Sequence, residues 1–146
     1  MEILEIRAPL NEDSIRGIST LFEKVFGHPP STDFGQRLNE KRKLIALIAK
    51  ERNQPAGFKI GYERSRETFF SWLGGVIPER RKRGIARMLM AKQHELCLSL
   101  GYEEIQTETY GDDPAMLILN LKEGFAVIGT HLGGDNRLRV QLRKKL

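Results

Sequence analysis

The sequence is poor in the residues that build disulfide frameworks and metal sites. Cys97 is the only cysteine among 146 residues, so no intrachain disulfide can form. The three histidines, at positions 28, 94 and 131, are scattered and show no metal-ligand spacing. We therefore expect no resident metal ion, and we expect a chain that works in a reducing compartment.

Long apolar segments are also absent. The run LIALIA, residues 44–49, is far shorter than the ~20 residues that a membrane span needs, and it is typical of a buried strand. The opening residues MEILEIRAPL lack the basic region and the apolar core of a signal peptide. These features predict a cytoplasmic protein without a membrane partner.

The charge balance is only mildly basic. The chain carries 24 Lys and Arg residues against 19 Asp and Glu residues, which gives a net charge of +5. This excess favours anionic ligands but is too small to indicate a nucleic-acid-binding protein. Neither the phosphate loop G-x-x-x-x-G-K-[ST] nor the dinucleotide motif G-x-G-x-x-G occurs. A nucleotide fold of either kind is therefore not expected.

Hydrophobic periodicity and turn residues divide the chain into helices and strands within one domain, residues 1–146. A short helix within 28–41 is expected to be capped by Ser31 or Thr32. The connection from a strand through a helix to the strand over 103–110 predicts a right-handed parallel crossover. The class is thus α+β, with a mostly antiparallel sheet. The other predicted helices are 12–27, 84–100 and 113–124, and the other predicted strands are 2–8, 43–51, 56–63, 68–76 and a pair around a turn at 133–136.

The helix over 84–100 carries the longest amphipathic pattern. Its apolar stripe is predicted from Ile85, Leu89, Leu96 and Leu100. Lys92 falls on this stripe and is expected to extend its ammonium group to solvent. His94 lies opposite the stripe and is expected to be exposed.

The stretch GGVIPERRKRGIARMLM, residues 74–90, places four cationic side chains immediately before this helix. The first amides of a helix lack partners within the helix and carry the positive end of its dipole, so they favour an anion such as phosphate. Gly84 permits close approach of the backbone, and the Arg81 and Arg83 side chains can add charged hydrogen bonds. Gly74 and Gly75 allow a bulge or a close approach in the preceding strand.

These residues resemble the GCN5-related N-acetyltransferases, the GNAT family. The spacing Val76-x-Pro78-x-x-Arg81-x-x-Gly84-Ile85-Ala86 is similar to motif A of that family, R/Q-x-x-G-x-G/A. The helix over 113–124 with Gly124 and Phe125 resembles the later motif, N-x-x-A-x-x-L-Y-x-x-x-G-F. The resemblance spans most of the chain and implies the GNAT fold, β1-α1-α2-β2-β3-β4-α3-β5-α4-β6-β7, with a sheet that splays at the parallel strand pair.

The resemblance also implies acetyl-CoA as the donor and a set of residues that hold it. The backbone near Gly75 and Val76 would pair with pantetheine, and the loop before the helix would hold the pyrophosphate. The residues implied by the loop are Arg81, Lys82, Arg83, Gly84, Ile85 and Ala86, and Asn120 would lie near the thioester.

Three candidate catalytic residues follow from the same comparison. Glu108 falls where several protein-acetylating members carry a glutamate that deprotonates the amine. Asn120 stands where the family usually has a tyrosine that protonates the leaving thiolate, and an amide has no useful acidity. Tyr110, at the end of the adjacent strand, is a possible substitute. A thiol has a pKa near ~8.5, so its thiolate can also leave without a dedicated acid.

The expected function is acetyl transfer from acetyl-CoA to a primary amine on a protein, a peptide or a small molecule. Two alternatives stay open: a non-catalytic acyl-CoA-binding regulator, and a nucleic-acid-binding domain that uses the basic run Arg80–Arg83. In the leading interpretation the partner is an amine acceptor, with no nucleic acid. The sequence does not identify the acceptor, and a homodimer is compatible with it.

Overall fold

A computed structural model describes residues 1–146, which form four α-helices and seven strands. Their order matches the order predicted from the sequence, and the α+β class is confirmed. The elements are β1 (Glu2–Arg7), α1 (Glu12–Phe26), α2 (Phe34–Glu40), β2 (Ile45–Glu51), β3 (Gln54–Glu63), β4 (Thr68–Val76), α3 (Ile85–Ser99), β5 (Glu104–Tyr110), α4 (Pro114–Lys122), β6 (Ala126–Leu132) and β7 (Leu138–Lys145), with a short 3-10 turn at Pro78–Arg80.

All seven strands form a single sheet in the order β1-β2-β3-β4-β5-β7-β6. Every neighbouring pair is antiparallel except β4 and β5, which are parallel and are linked through α3. Parallel neighbours need a crossover connection, and the helix supplies it. The predicted parallel step is therefore confirmed, and it lies in the interior of the sheet.

The sheet is buried on both faces, which explains the continuous apolar run of β2. Leu47 and Phe69 point to the face that packs against α3, whereas Phe58 and Ile60 point to the face that packs against α1 and α2. Strands covered on both faces need apolar side chains at successive positions rather than at alternate ones. No helix combines the length and the apolar character that spanning a membrane requires.

The helix ends agree with the sequence-based predictions only in part. Asn11 caps α1 by accepting from the amide of Ser14, and Gly27 ends the helix with a φ of 81°. The cap predicted for α2 is wrong, because the helix begins after Asp33 and no side chain caps it. The Ser31 hydroxyl instead donates to the Asp33 carboxylate at 2.6 Å, within the turn that precedes the helix.

The buried face of α3 differs from the predicted stripe. Ile85 and Leu89 are buried as expected, but Leu100 is 44% exposed and lies beyond the helix end. Leu96 is partly buried and packs against the core as expected, and the fully buried face continues through Gln93 and Cys97, at 3% and 0% exposure. Positions four residues apart continue one helix face, so the polar Gln93 concealed the true stripe in the sequence.

Of two further side chains of α3, His94 departs from the prediction and Lys92 agrees with it. His94 is half-buried rather than exposed, because its ring packs against Phe125 and its Nδ1 lies 3.2 Å from Lys144 Nζ. Lys92 extends its ammonium group to the solvent side as expected, where it lies 3.6 Å from the Glu95 carboxylate.

A β-bulge in β4 positions the functional site. Leu73 pairs with Ile60 and Ser71 pairs with Gly61, so Trp72 is the extra residue in β4. Pairing with β5 ends at the same point, at Ser71 and Thr107. Since a bulge bends its strand, the last residues of β4 diverge from β5 and a gap opens between them.

Of the two alternatives expected at Gly74 and Gly75, a bulge or a close approach, the structure shows the close approach. A Cβ atom on Gly75 would lie 2.3 Å from Val25 Cγ1. The glycine thus lets α1 approach β4 closely, next to the gap.

Candidate functional site

The gap between β4 and β5 continues into a cavity of about 550 Å³. Residues from α1, β3, β4, β5 and α4 reach it, so it opens toward both faces of the sheet. The end of α1 and the segments that follow it and β6 contribute Phe26, His28 and Arg137. The remaining lining residues are Phe22, Lys59, Ser71, Trp72, Leu73, Gly74, Thr107, Glu108, Thr109, Tyr110, Asp113, Met116 and Asn120.

The start of α3 forms an anion cradle beside this gap. Two left-handed residues, Lys82 with a φ of 63° and Gly84 with a φ of 81°, turn the chain sharply before the helix. The six successive amides of residues 82–87 donate to no carbonyl and to no side chain. A Cβ atom on Gly84 would meet nothing within 4 Å, so open space lies over the cradle. Unpaired amides at a helix start are suited to phosphate.

Arg81 supports the cradle from behind. Its Nε donates to the carbonyl of Val76 at 2.9 Å, and one terminal nitrogen donates to the carbonyl of Val25 at 3.0 Å. The side chain thereby ties the end of β4 and the end of α1 to the loop. This geometry gives the Arg81 side chain a positioning role, whereas the sequence indicated a direct phosphate contact.

The basic run is also more constrained than a nucleic-acid-binding patch would be. The Arg80 guanidinium forms a hydrogen-bonded ion pair with Glu51, and Arg83 lies 3.7 Å from the same carboxylate. With Arg81 held on carbonyls, only Lys82 of the four cations has no partner within the protein. The run is therefore part of a folded loop, and this does not favour the nucleic-acid alternative.

We expect Arg81→Ala to lower the free energy of unfolding by about 1–2 kcal/mol and to weaken acetyl-CoA binding as well. This loss of stability is smaller than the sum of two charged hydrogen bonds, because the Arg81 side chain is exposed and water weakens its interactions. Urea denaturation and calorimetry measure the two effects. Arg83→Ala is the stability control, since its single longer ion pair should contribute little. Unchanged stability of Arg81→Ala would reject the positioning role.

Glu108 lies at the mouth of the gap, where β5 is no longer paired with β4. Its carboxylate is 3.7 Å from His131 Nε2 and 3.8 Å from Arg139 Nε, and 29% of its side chain is exposed. It lines both the main cavity and a neighbouring groove. The carboxylate therefore faces the space between the strands and is accessible to an amine.

Tyr110 lies two residues further along β5 and also lines both cavities. The guanidinium of Arg137 stacks 3.4 Å from the centre of its ring, and that of Arg139 lies 4.2 Å from it. The hydroxyl group forms no hydrogen bond within the protein. Stacked cations hold the ring in place at the edge of the gap.

Asn120 is 3% exposed and lines the cavity from α4. Its Nδ2 donates to the carbonyl of Met116, one helical turn earlier, at 3.1 Å. The backbone carbonyl of Asn120 accepts from the backbone amide of Phe125 at 3.0 Å, at the end of the helix. The side chain is therefore engaged in helix structure, which leaves less of its amide for a contact to sulfur.

Sequence reasoning missed Lys59, which lines the same cavity from the middle of β3. Burial lowers the pKa of its ammonium group to about 8. The signal was a single lysine inside the otherwise apolar segment AGFKIGYE. Because charged residues are rarely buried without a partner, that position in an interior strand was informative.

Sequence reasoning also missed an aromatic groove of about 360 Å³ beside the cavity. It extends from the bulged Trp72 along the face that carries α1 and α2, with Phe70, Tyr62 and Tyr110 as its walls. Lys41 lies 4.9 Å from the Trp72 ring centre and 5.0 Å from that of Tyr62. Phe69, by contrast, is a core residue at 0% exposure.

No group of three or more His, Cys, Asp or Glu side chains is placed to hold a metal ion. The single thiol, Cys97, lies on the buried face of α3 in the hydrophobic core, and burial raises its pKa to about 12.

Several solved structures are similar to this chain in fold, and two of the three described here are acetyltransferases. Ard1 from Thermoplasma volcanium has a TM-score of 0.81 at 14% identity, covering 99% of this chain and 97% of its own. An aminoglycoside 6'-N-acetyltransferase complexed with coenzyme A has a TM-score of 0.81 at 15% identity, covering 99% and 97%. A GNAT family acetyltransferase from Elizabethkingia anophelis with acetyl-CoA bound has a TM-score of 0.73 at 16% identity, covering 99% and 98%.

A sheet split at its parallel pair, with an anion cradle beside the split, places the chain in the structural class of these enzymes. The model of the Acetyltransferase (GNAT) family matches residues 12–125. The chain therefore belongs to the GNAT acetyltransferase family, and the resemblance and the GNAT fold implied by its motifs are confirmed. None of the curated protein sequences compared with the chain matches it significantly.

Proposed function

We propose that this protein is an acetyl-CoA-dependent N-acetyltransferase that acts on a primary amine. The observation that carries the proposal is the placement of the six unpaired amides at the start of α3 beside the gap that Glu108 enters. An anion site at one end and a carboxylate at the other suit a phosphate-bearing acyl donor and a basic acceptor. Neighbours of the same fold that hold coenzyme A or acetyl-CoA support this choice of donor.

The residues of the chain would have the following roles in binding and catalysis. The amides of Lys82 to Arg87 bind the pyrophosphate of the donor, and the unpaired end of β4 binds its extended arm. The amine then enters from the side of Phe26, His28 and Arg137, attacks the thioester carbon directly and displaces the thiolate. Glu108 accepts the proton that the amine nitrogen loses.

The need for a base can be estimated from pKa values. A lysine amine with a pKa of ~10.4 is neutral at pH 7 only at a cost of about 4.6 kcal/mol, and an α-amine near ~8 costs about 1.4 kcal/mol. A positioned carboxylate typically contributes about 10²–10⁴-fold in rate. Glu108 is therefore more important for an acceptor of high pKa.

The acceptor can be a protein or peptide amine or a small-molecule amine. Neighbours at low identity include both kinds: a ribosomal-protein-S18-alanine N-acetyltransferase from Escherichia coli and the aminoglycoside enzyme. The groove of Tyr62, Phe70 and Trp72 is where the rest of the acceptor would lie. Cytoplasmic location and a homodimer stay predictions.

One observation favours the alternative of a non-catalytic acyl-CoA-binding regulator. Asn120 replaces a tyrosine acid and donates to the carbonyl of Met116. A protein of this kind would keep the anion cradle and lose turnover. Donor binding without transfer would identify it.

A coenzyme-release assay with acetyl-CoA and a panel of amines, peptides and aminoacyl compounds tests the proposed function. We expect release that depends on an amine and rises with pH as the acceptor loses its proton. Binding of acetyl-CoA by calorimetry with no release against any amine would favour the regulator. Absence of binding would reject the donor.

A further inference from the structure

Lys59 extends from β3 across the end of β4, toward the face that α3 and α4 cover. Its neighbour across the strand pair is Gly74, and a Cβ atom built on Gly74 would lie only 3.5 Å from Lys59 Cγ. The missing side chain of Gly74 thus leaves the room that the lysine stem occupies. Gly74 lies three residues after Ser71, the last residue of β4 that pairs with β5, so this space opens onto the gap.

The same side chain borders two spaces. It lines the main cavity with Glu108 and Asn120, and it lines a smaller apolar cleft with Leu89 of α3 and Leu119 of α4. Gly74 and Met116 also belong to both spaces. Lys59 therefore lies at the junction of the cleft between the helices and the gap between the strands.

The ammonium group of Lys59 has no ion-pair partner and no hydrogen-bond partner within the protein. On the same side of the sheet, burial and then the charges of Lys144 and Lys59 lower the pKa of His94 to about 4. An unpaired cation in a half-buried position is costly, so it calls for an anion that the free protein lacks.

The proposed reaction produces one such anion at this place. When the amine attacks, the new bond between nitrogen and the carbonyl carbon forms, the bond between carbon and sulfur breaks, and the electron pair goes to sulfur. In the proposed function the phosphates bind at the start of α3, where Ala86 lines the cleft, and the amine enters the cavity that Glu108 lines. The sulfur must then lie between them, where the cleft meets the gap.

We propose that Lys59 is a further catalytic residue that donates its ammonium hydrogen to the sulfur of the departing coenzyme A. The amine proton goes to Glu108, the Lys59 proton is shared with or passed to the thiolate, and neutral Lys59 regains a proton from solvent. This inference rests on the proposed function. It explains how turnover proceeds although Asn120 supplies no acid. The proton affinities also match, since the pKa of Lys59 lies at about 8 and a thiol has a pKa near ~8.5.

The test measures the pKa of the coenzyme A thiol bound to the protein, from the ultraviolet absorbance of the thiolate during a pH titration. Desulfo-coenzyme A gives the background, because other titratable groups face the same space. Those groups are His28, Glu108, Tyr110 and Asp113 with Arg137 around the cavity, and His94 and Lys144 behind Lys59. We expect a bound thiol pKa below the free value in the wild-type protein.

Lys59→Met should raise the bound thiol pKa by about one unit or more and lower turnover about ten- to a hundredfold, the scale of a charged hydrogen bond. Lys59→Arg should keep part of both effects. Lys122→Met, at an exposed lysine of α4, should change neither. Lys59→Met is expected to fold at least as stably as the wild type, since it removes an unpaired half-buried charge, and thermal melting checks this.

An unchanged thiol pKa in Lys59→Met, with turnover retained, would overturn the inference and leave the proposed function standing. Equal losses of affinity for coenzyme A and for desulfo-coenzyme A, with no change in thiol pKa, would do the same, because they indicate a binding contact only. A turnover loss in Tyr110→Phe that Lys59→Met lacks would assign the acid to Tyr110. A wild-type protein that binds no coenzyme A would overturn the proposed function itself.

Discussion

Gly84→Glu should abolish measurable binding of acetyl-CoA. The new side chain would occupy the open space above the cradle and place a carboxylate where the pyrophosphate is expected, against the amides of residues 82–87. Two negative groups cannot share one helix start, so both the bulk and the charge oppose the donor. Calorimetric titration with acetyl-CoA measures the loss.

The matched control is Gly101→Glu, just beyond the other end of α3. Gly101 also has a left-handed backbone, with a φ of 91°, and a Cβ there would meet nothing within 4 Å. Both substitutions carry the same conformational cost, roughly 1–2 kcal/mol, so a difference in affinity reflects position alone. Acetyl-CoA affinity that is equal in the two variants would reject the cradle.

Glu108→Gln should lower kcat/KM about 10²–10⁴-fold for an amine of high pKa while acetyl-CoA affinity stays the same. The amide keeps the size of the side chain and its place between His131 and Arg139 but cannot accept the proton. The defect should shrink as pH rises, because a growing fraction of the amine is already neutral. Rates over a pH series measure this.

Glu104→Gln is the control for the second experiment. Glu104 lies on the same strand and already accepts from the Thr68 hydroxyl at 3.0 Å, away from the gap. Its loss should leave turnover unchanged. A Glu108→Gln defect of the same size at every pH would mean that the carboxylate positions the acceptor or the loop around it and does not take the proton.

The order of elements and the parallel crossover could be predicted because each depends on local signals. Alternation, helical spacing and turn residues such as Gly27 determine where an element begins and ends, and a crossover helix requires a parallel pair. The cradle was predictable for a similar reason, since proline, glycine and the helix that follows are adjacent in sequence.

The parts that escaped prediction depend on contacts between distant segments. The bulge is at Trp72 because β3 and β4 pair on either side of it, and no residue type there indicates a bulge. Arg81 binds the carbonyl of Val25, 56 positions away along the chain, which the basic run around it concealed. Catalytic roles for Glu108, Tyr110 and Asn120 stay predictions until turnover is measured.

The brief pairing of β4 with β5 has a thermodynamic consequence. Only four residue pairs, from Thr68 with Glu104 to Ser71 with Thr107, join strands β1–β4 to strands β5–β7 along the sheet. A molecule bound in the gap contacts both sets of strands and adds contacts between them. Ligand at about a hundred times its Kd would stabilise the folded chain by about 2.7 kcal/mol. Amide hydrogen exchange in β5 and β7 should slow accordingly. The ligand concentration would therefore determine the stability of the last third of the chain against local unfolding.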